Sequence, residues 1–356
     1  MKTMKAAVLE KPGKMVIEER PIPEPAPGWI RLKNKASGIC GSDMHIYTGN
    51  HPWLQPGHPM ERFVLGNVYG HEIAGVVDAV GDGVQGIEKG QRAAVNAIVP
   101  CQRCEFCRVG LFQLCRNLEH YGFHHAGGFA EYTLVPAANV LKLPEQLSYQ
   151  EAAILDVLVV GIHAVQIGDI SMADRVAILG AGPIGLAMAA CVKRSGAREV
   201  FITAKHPIQK ELARSIGVDH VLQTKPEEAI KAVAEQTGEL GVDCVLESVG
   251  YKSNTMELAV ELVRKGGRIV FTGVFEKEVC LNLGTVLIKE ATIRASHAFG
   301  MWNLVHELEL AVEMMVKGQF PAKSMITHTF PLEKINEAFH QKIEEGASTV
   351  KVEILF

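Results

Sequence analysis

Four cysteines, Cys101, Cys104, Cys107 and Cys115, crowd into one short stretch and constrain this chain more than any other feature. They read C-x-x-C-x-x-C, with the fourth cysteine after a further seven residues. Two residues between thiolates let a tight turn aim both sulfurs at one ion, and four sulfurs complete a tetrahedral shell for zinc. Disulfides between such close neighbours would be strained, and four core cysteines rarely fall at this spacing. A shell made only of thiolates has no open position. The predicted site, a lobe over about residues 100–116, therefore holds the fold and leaves the chemistry to other residues.

With 356 residues, 47% of them hydrophobic, the chain can bury a large core, and its length suggests two domains. Charged residues make up 21% and the formal net charge is -4. The basic stripe needed by phosphate-rich partners is missing, which argues against nucleic-acid binding. Residues 1–10 mix polar and apolar types and do not read as a secretory signal. No apolar run reaches the length of a membrane span. Eight cysteines without an export signal fit a reducing compartment in which thiols serve metal, so a cytoplasmic protein is expected.

The first 150 residues hold short β-type runs, at 4–9, 29–36, 73–80 and 129–135, punctuated by glycine and proline. That pattern suits a small, irregular, mostly antiparallel domain. Residues 20–28 carry four prolines and read as an extended surface connection. From about Ala152 the texture changes. Strand-like runs at 175–179, 200–203, 243–246 and 268–272 alternate with helical patterns at 182–195, 209–216 and 254–263, which argues for a parallel sheet covered on both faces. After about Thr292 the chain returns to mixed structure, with a helical stretch at 304–316 and a last β run at 349–355. The expected arrangement is an α/β protein in which residues 1–152 and 293–356 build one domain around a dinucleotide-binding domain at 153–292.

Gly180-Ala181-Gly182-Pro183-Ile184-Gly185 is a G-x-G-x-x-G between a predicted strand and a predicted helix. The first glycine permits a tight turn, the second lets backbone approach a pyrophosphate, and the third allows close helix–strand packing. The helix N-terminus then faces the phosphates. NAD enzymes place an acidic residue about 20 positions on, for the ribose 2′-hydroxyl. Here the strand runs into Ala204, Lys205 and His206, with no carboxylate. A 2′-phosphate is admitted beside Lys205, so NADP is favoured over NAD; alternatively Lys205 is a solvated loop charge and NAD is held by other contacts.

A second constellation precedes these motifs. Gly38-Ile39-Cys40-Gly41-Ser42-Asp43-Met44-His45 offers a thiolate, a hydroxyl, a carboxylate and an imidazole, and Gly70-His71-Glu72 adds a histidine beside a glutamate. One Cys, one His and a nearby carboxylate make a catalytic zinc site open at one position. Singly, each residue is more often a core or surface group.

Taken with the cysteine lobe and residues 180–185, in this order, these segments resemble the zinc-dependent medium-chain dehydrogenase superfamily, the alcohol, polyol, sorbitol and threonine dehydrogenase group. The resemblance covers essentially the whole chain. It implies a GroES-like, mostly-β catalytic domain and a Rossmann doubly wound parallel-sheet domain, with the active site in the cleft between them. It makes Cys40 and His71 catalytic zinc ligands and Glu72 a neighbour able to move onto the metal. The third ligand should come from residues 152–158, where alcohol dehydrogenases carry a cysteine and this chain offers Asp156, as polyol and threonine dehydrogenases do; the other role for Asp156 is a helix cap. A carboxylate is harder than a thiolate, which leaves zinc more Lewis acidic and tolerant of added oxygen donors, and so favours vicinal diols or amino alcohols. Ser42 and His45 then fit a proton relay, with the cofactor ribose between them. Asp43 either orients that relay or caps the following turn, the structural role being preferred.

Between Cys40 and His71 the chain carries a long segment with His51, Trp53, His58 and Arg62. Trp53 is a possible pocket wall and Arg62 a possible contact for an anionic substrate, although loop residues of this kind more often only pack. Cys191, Cys244 and Cys280 read as core thiols. The expected activity is hydride transfer between a secondary hydroxyl of a polyol or sugar-derived substrate and NAD(P), using two zinc ions. The alternatives are threonine 3-dehydrogenase-like oxidation of an amino alcohol, or a non-catalytic nucleotide-binding relative. Relatives form dimers or tetramers, and residues 276–288 lie where they extend a sheet across a subunit interface; Val279-Cys280-Leu281 could equally be an internal strand.

Overall fold

The β-branched run at 175–179 forms the strand Arg175–Leu179, buried near the middle of a six-stranded parallel sheet. In space the strands run His220–Leu222, Glu199–Thr203, Arg175–Leu179, Val242–Glu247, Val263–Phe271 and Thr292–Ala295. Numbered along the chain this is the order 3-2-1-4-5-6 of a Rossmann sheet, whose direction of growth reverses between Arg175–Leu179 and Val242–Glu247. The helix Pro183–Arg194 follows the first strand with proline in its first turn, where the missing N–H is harmless. Pro207–Ile216 follows the second strand in the same way and stops at Gly217, with φ +88°. Phe201, Val245 and Ile269 pack with Leu258 and Leu262 in the core beside this sheet.

This computed structural model describes residues 2–50 and 66–356. The sheet belongs to a unit formed by Val157–Pro321, and the remaining unit combines Met1–Asp156 with Ala322–Phe356. In the latter, a seven-stranded sheet is centred on Trp29–Gly38, which pairs antiparallel with Glu72–Val80, Tyr132–Pro136 and Lys351–Leu355. The chain thus returns its last strand against one of its first. Alternation along Lys351–Leu355 sends Val352 and Ile354 into an apolar cluster with Ile39, Tyr47 and Phe339. Lys351 and Glu353 face the other way, yet both are fully buried.

Several expectations change. The dinucleotide unit begins at Val157 and ends at Pro321 rather than spanning 153–292. Thr292–Ala295 pairs with Val263–Phe271, and so extends the parallel sheet. Glu307, which opens the helix Glu307–Val316, binds His163 at 2.9 and 3.0 Å inside the same unit. The helix predicted from 304 starts three residues late because Met301–Trp302 and Val305–His306 form a small hairpin around Asn303 and Leu304, both at positive φ. Val279, Cys280 and Leu281 form no strand; the segment leads into the helix Leu283–Lys289. Cys191 and Cys244 are core thiols as expected, but Cys280 is exposed.

Candidate active site

The strand Trp29–Gly38 ends where the helix Gly41–Thr48 begins, and Cys40 is the N-cap between them. Four backbone interactions hold the cap. Ile39 N donates to Val352 O at 2.9 Å, Lys342 Nζ donates to Ile39 O at 2.9 Å, Cys40 N donates to Asp43 Oδ2 at 2.8 Å, and Met44 N donates to Cys40 O at 3.3 Å. Asp43 therefore performs the capping role preferred for it. Ser42 and His45 sit three residues apart on this helix, a spacing that makes them neighbours on one face; Ser42 is half-buried and His45 buried.

His71 enters from the strand Glu72–Val80 after Gly70, whose φ of +88° and contact with the Phe129 ring leave no room for a side chain. Cys40, His71 and Glu72 each present a ligand atom, all within 4.8 Å of one another. Asp156, in the first turn of the helix Leu155–Ile167, brings Oδ2 to 4.0 Å from His71 Nε2. On the other ring nitrogen, Asp43 Oδ1 lies 3.8 Å from His71 Nδ1. Neither of these two buried atoms has a hydrogen-bond partner among the described residues. A half-buried thiol, a buried imidazole and a half-buried carboxylate, with a buried second carboxylate behind the imidazole, fit a metal ligand set. Burial pushes Asp156 up to about 6, against the opposing pull of His71. Burial also disfavours charge on His71, but Asp43, Cys40 and Asp156 outweigh it and raise the imidazole to about 10. Negative charge dominates the surroundings of His71, the field that a divalent cation would neutralise.

Glu72 already has a partner. Lys351 Nζ lies 2.5 Å from both of its carboxylate oxygens, and both side chains are fully buried. Gly38 makes the pair possible, because a Cβ there would strike the Glu72 carboxylate and the Lys351 stem. In this structure Glu72 is the counter-ion of Lys351, so His71, Cys40 and Asp156 are the groups left to face a metal.

The cysteine lobe comes together as its spacing predicted. Ligand atoms of Cys101, Cys104, Cys107 and Cys115 lie within 4.8 Å of one another, and all four thiols are free. Cys101 N donates to Cys115 Sγ at 3.2 Å. Backbone N–H groups of Arg116 and Cys107 lower Cys104 to about 6, whereas burial pushes Cys107 up to about 12. The donor set is that of a closed zinc site.

In the other unit, the glycine turn sits at the carboxyl end of Arg175–Leu179. Gly180 has φ +98°, a Cβ on Gly185 would collide with the Gly180 carbonyl, and a Cβ on Gly182 would meet nothing within 4 Å. That open position, at the N-cap of Pro183–Arg194, is where a pyrophosphate could approach backbone. Ala181, Pro183 and Ile184 complete the turn. Thr203 Oγ1 accepts from Gly180 N at 2.8 Å and ties the turn to the neighbouring strand. Beyond that strand Ala204 is buried and Lys205 exposed, with Lys205 N donating to Gln209 Oε1 at 3.2 Å. The donors and the open backbone fit a dinucleotide.

His51, Trp53, His58 and Arg62 lie outside the described residues. Sequence reasoning missed Lys351, Glu353 and Lys342, all near the C-terminus. For Lys351 and Glu353 the signal was charge within an otherwise apolar β run; Lys342, in a helix of mixed polarity, gave none. Burial lowers the Lys342 ammonium to about 8 and pushes the Glu353 carboxyl up to about 8.

Known proteins match the chain along nearly its whole length. Residues 26–145 match the alcohol dehydrogenase GroES-like domain, and residues 183–317 match the zinc-binding dehydrogenase domain. The chain is 30% identical to sorbitol dehydrogenase of Bacillus subtilis over 98% of its own length and 96% of that protein. It is 33% identical to L-threonine 3-dehydrogenase of Pyrococcus horikoshii, covering 94% of each. The structure of galactitol-1-phosphate dehydrogenase from Escherichia coli superposes with a TM-score of 0.88 at 27% identity, covering 99% of this chain and 100% of that one.

Removing one partner of the buried Glu72–Lys351 pair should be far more damaging than removing both. Lys351→Met is expected to destabilise the protein by about 3–5 kcal/mol, and the double variant with Glu72→Gln to recover most of that loss. Denaturant unfolding of the single and double variants measures both values.

Proposed function

The chain belongs to the zinc-dependent medium-chain dehydrogenase superfamily, and on that premise we propose specific roles for its residues in oxidising a polyol or sugar-derived substrate. The protein is an oxidoreductase linked to a nicotinamide cofactor, with a GroES-like catalytic domain and a Rossmann domain. Its relatives include sorbitol and L-galactonate-5-dehydrogenases, which supports a secondary hydroxyl on a polyhydroxylated substrate. The observation that carries the residue assignment is the meeting of Cys40, His71 and Glu72 ligand atoms within 4.8 Å of one another, with Asp156 Oδ2 4.0 Å from His71 Nε2.

In this reading Cys40, His71 and Asp156 hold the catalytic zinc, and Glu72 stays paired with Lys351 as a nearby carboxylate able to exchange. Cys101, Cys104, Cys107 and Cys115 hold the structural zinc. When bound, the catalytic metal supplies Lewis acidity towards a substrate oxygen, and the nicotinamide supplies the hydride acceptor. The chain's own contribution is positioning and proton handling. Asp43 places its carboxylate on the Nδ1 side of His71, 3.8 Å away, opposite the side that faces Asp156. The Ser42 hydroxyl accepts the proton that the substrate hydroxyl gives up as it passes its own proton on towards His45, a buried imidazole on the same helix face. Pairing of the relay residues on one short helix capped by Cys40 keeps them in register with the thiolate.

Residues 180–185 receive the pyrophosphate, and Lys205 receives a 2′-phosphate. The absence of a carboxylate between Thr203 and Lys205 supports NADP over NAD, since an acidic side chain there would repel the phosphate. A homo-oligomer is also proposed. Leu283, Leu287 and Ile288 are 71%, 75% and 72% exposed on the helix Leu283–Lys289, an apolar face that a second copy would cover. Metal-binding thiols suit the reducing cytoplasm, and no helix among the described residues is long and apolar enough to cross a membrane. A threonine-type reaction is the second reading, supported by the 33% identity to L-threonine 3-dehydrogenase and by the carboxylate ligand.

A panel of sugar alcohols, sugar acids and L-threonine, each with NAD and NADP, decides between the readings. The expected outcome is highest kcat/KM with a polyhydroxylated substrate and NADP. Higher kcat/KM with L-threonine would establish the second reading. Asp156→Ala should lower kcat/KM at least about 100-fold, and elemental analysis should show loss of one of the two zinc ions while the cysteine lobe keeps its own. Lys205→Met should raise KM for NADPH about fivefold to tenfold and leave KM for NADH unchanged, as expected for loss of a single exposed contact to phosphate.

A further inference from the structure

Glu247 ends the central strand Val242–Glu247 as a carboxylate that is 0% exposed. Its Oε1 accepts three hydrogen bonds, from Val249 N at 2.8 Å, Gly250 N at 2.9 Å and the Thr255 hydroxyl at 2.7 Å. Its Oε2 has no partner among the described residues. Burying a carboxylate with one oxygen unsatisfied is unfavourable, and nothing in the apolar packing of the sheet calls for it. The group sits instead where three loops meet. Ser248 donates from Oγ to Leu179 O at 2.9 Å and from N to the same carbonyl at 3.1 Å, which locks the loop after Glu247 to the glycine turn. Thr272 N donates to Glu247 O at 2.9 Å and Tyr251 N to Val274 O at 2.7 Å, which locks it to the loop after Val263–Phe271. Gly273 leaves the space that the Glu247 carboxylate occupies, because a Cβ there would meet Oε2 and Gly250 N. Gly250 and Tyr251 hold consecutive left-handed conformations with φ +60° and +56°, a costly backbone for a tyrosine that the Glu247 bonds help to maintain.

The position of this knot has a functional meaning. Ligands of an open parallel sheet bind past the carboxyl ends of the strands at the switch point, one mononucleotide on each side. The glycine turn and Lys205 serve the adenosine side. The loops after Val242–Glu247 and Val263–Phe271 lie across the switch point, on the side of the second mononucleotide. We propose that Glu247 is a positioning residue for the nicotinamide half of the cofactor, holding the Ser248–Gly250 backbone and its neighbouring loop in the shape that receives it. The carboxylate acts through the backbone it fixes and touches no reacting atom. This rests on the nicotinamide-cofactor reading.

Binding of reduced cofactor and of ADP, each measured by tryptophan fluorescence without substrate, separates this role from general support of the fold. ADP occupies only the adenosine side. In Glu247→Leu, which removes the acceptor without opening a large cavity, the Kd for NADPH or NADH should rise about tenfold or more while the Kd for ADP stays within about twofold. Glu247→Gln keeps an acceptor oxygen but loses the charge, and should weaken dinucleotide binding about threefold with ADP again unaffected. An unchanged dinucleotide Kd, or equal weakening of ADP, overturns the proposal. Should Glu247→Leu fail to fold, Glu247→Gln decides by the same two constants. If the wild-type protein binds neither ligand, the cofactor reading itself is wrong, which is a different failure.

Discussion

The buried ion pair between Lys351 and Glu72 is the interaction on which the unit formed by residues 1–156 and 322–356 depends. It joins residues 279 positions apart and ties the last strand of the chain to the loop that delivers His71. Two charges taken out of water need each other, and the pair tolerates burial because Gly38 leaves room for the carboxylate and ammonium to meet. With Glu72 paired to Lys351, Cys40, Asp43 and Asp156 remain around His71 and together raise its imidazole. That convergence of donor groups, rather than any single ligand, makes the point suited to a divalent cation.

The dinucleotide half solves a different problem with similar means. There a carboxylate, Glu247, organises backbone N–H groups at the carboxyl edge of a parallel sheet, and a hydroxyl, Thr203, organises the glycine turn. Buried polar groups that bond to backbone fix loop shape more sharply than apolar packing, because each bond has a direction as well as a distance. Loops at a binding edge gain most from that directionality, since they carry function without the mutual support of a ladder.

Much of this was legible in the chain. The cysteine lobe assembled as C-x-x-C-x-x-C spacing required, because ligands within a few residues of one another are placed by local turns. Strand–turn–helix at 175–194 followed from β-branched residues, three glycines and a proline at the start of the helix. Errors arose where identity was settled at long range. Residues 293–321 read as part of the domain built by residues 1–152, but an edge strand belongs to whichever sheet supplies its partner, and Thr292–Ala295 found Val263–Phe271. Cys280 looked like a core thiol in an apolar run, yet no strand formed to bury it.

What the sequence by itself determined is the inventory: which thiolates, imidazoles and carboxylates are present, their order, and those local motifs whose members lie within one turn or one strand–helix junction. Tertiary structure decided which of those groups face one another. Read along the chain, Glu72 is a carboxylate free to move onto the metal; only the register that sets Gly38 opposite both Glu72 and Glu353 brings Lys351 onto it. The physical reason is that coordination and hydrogen bonding act over a few ångströms, whereas sheet pairing gathers residues from hundreds of positions apart, and no local pattern records that closure.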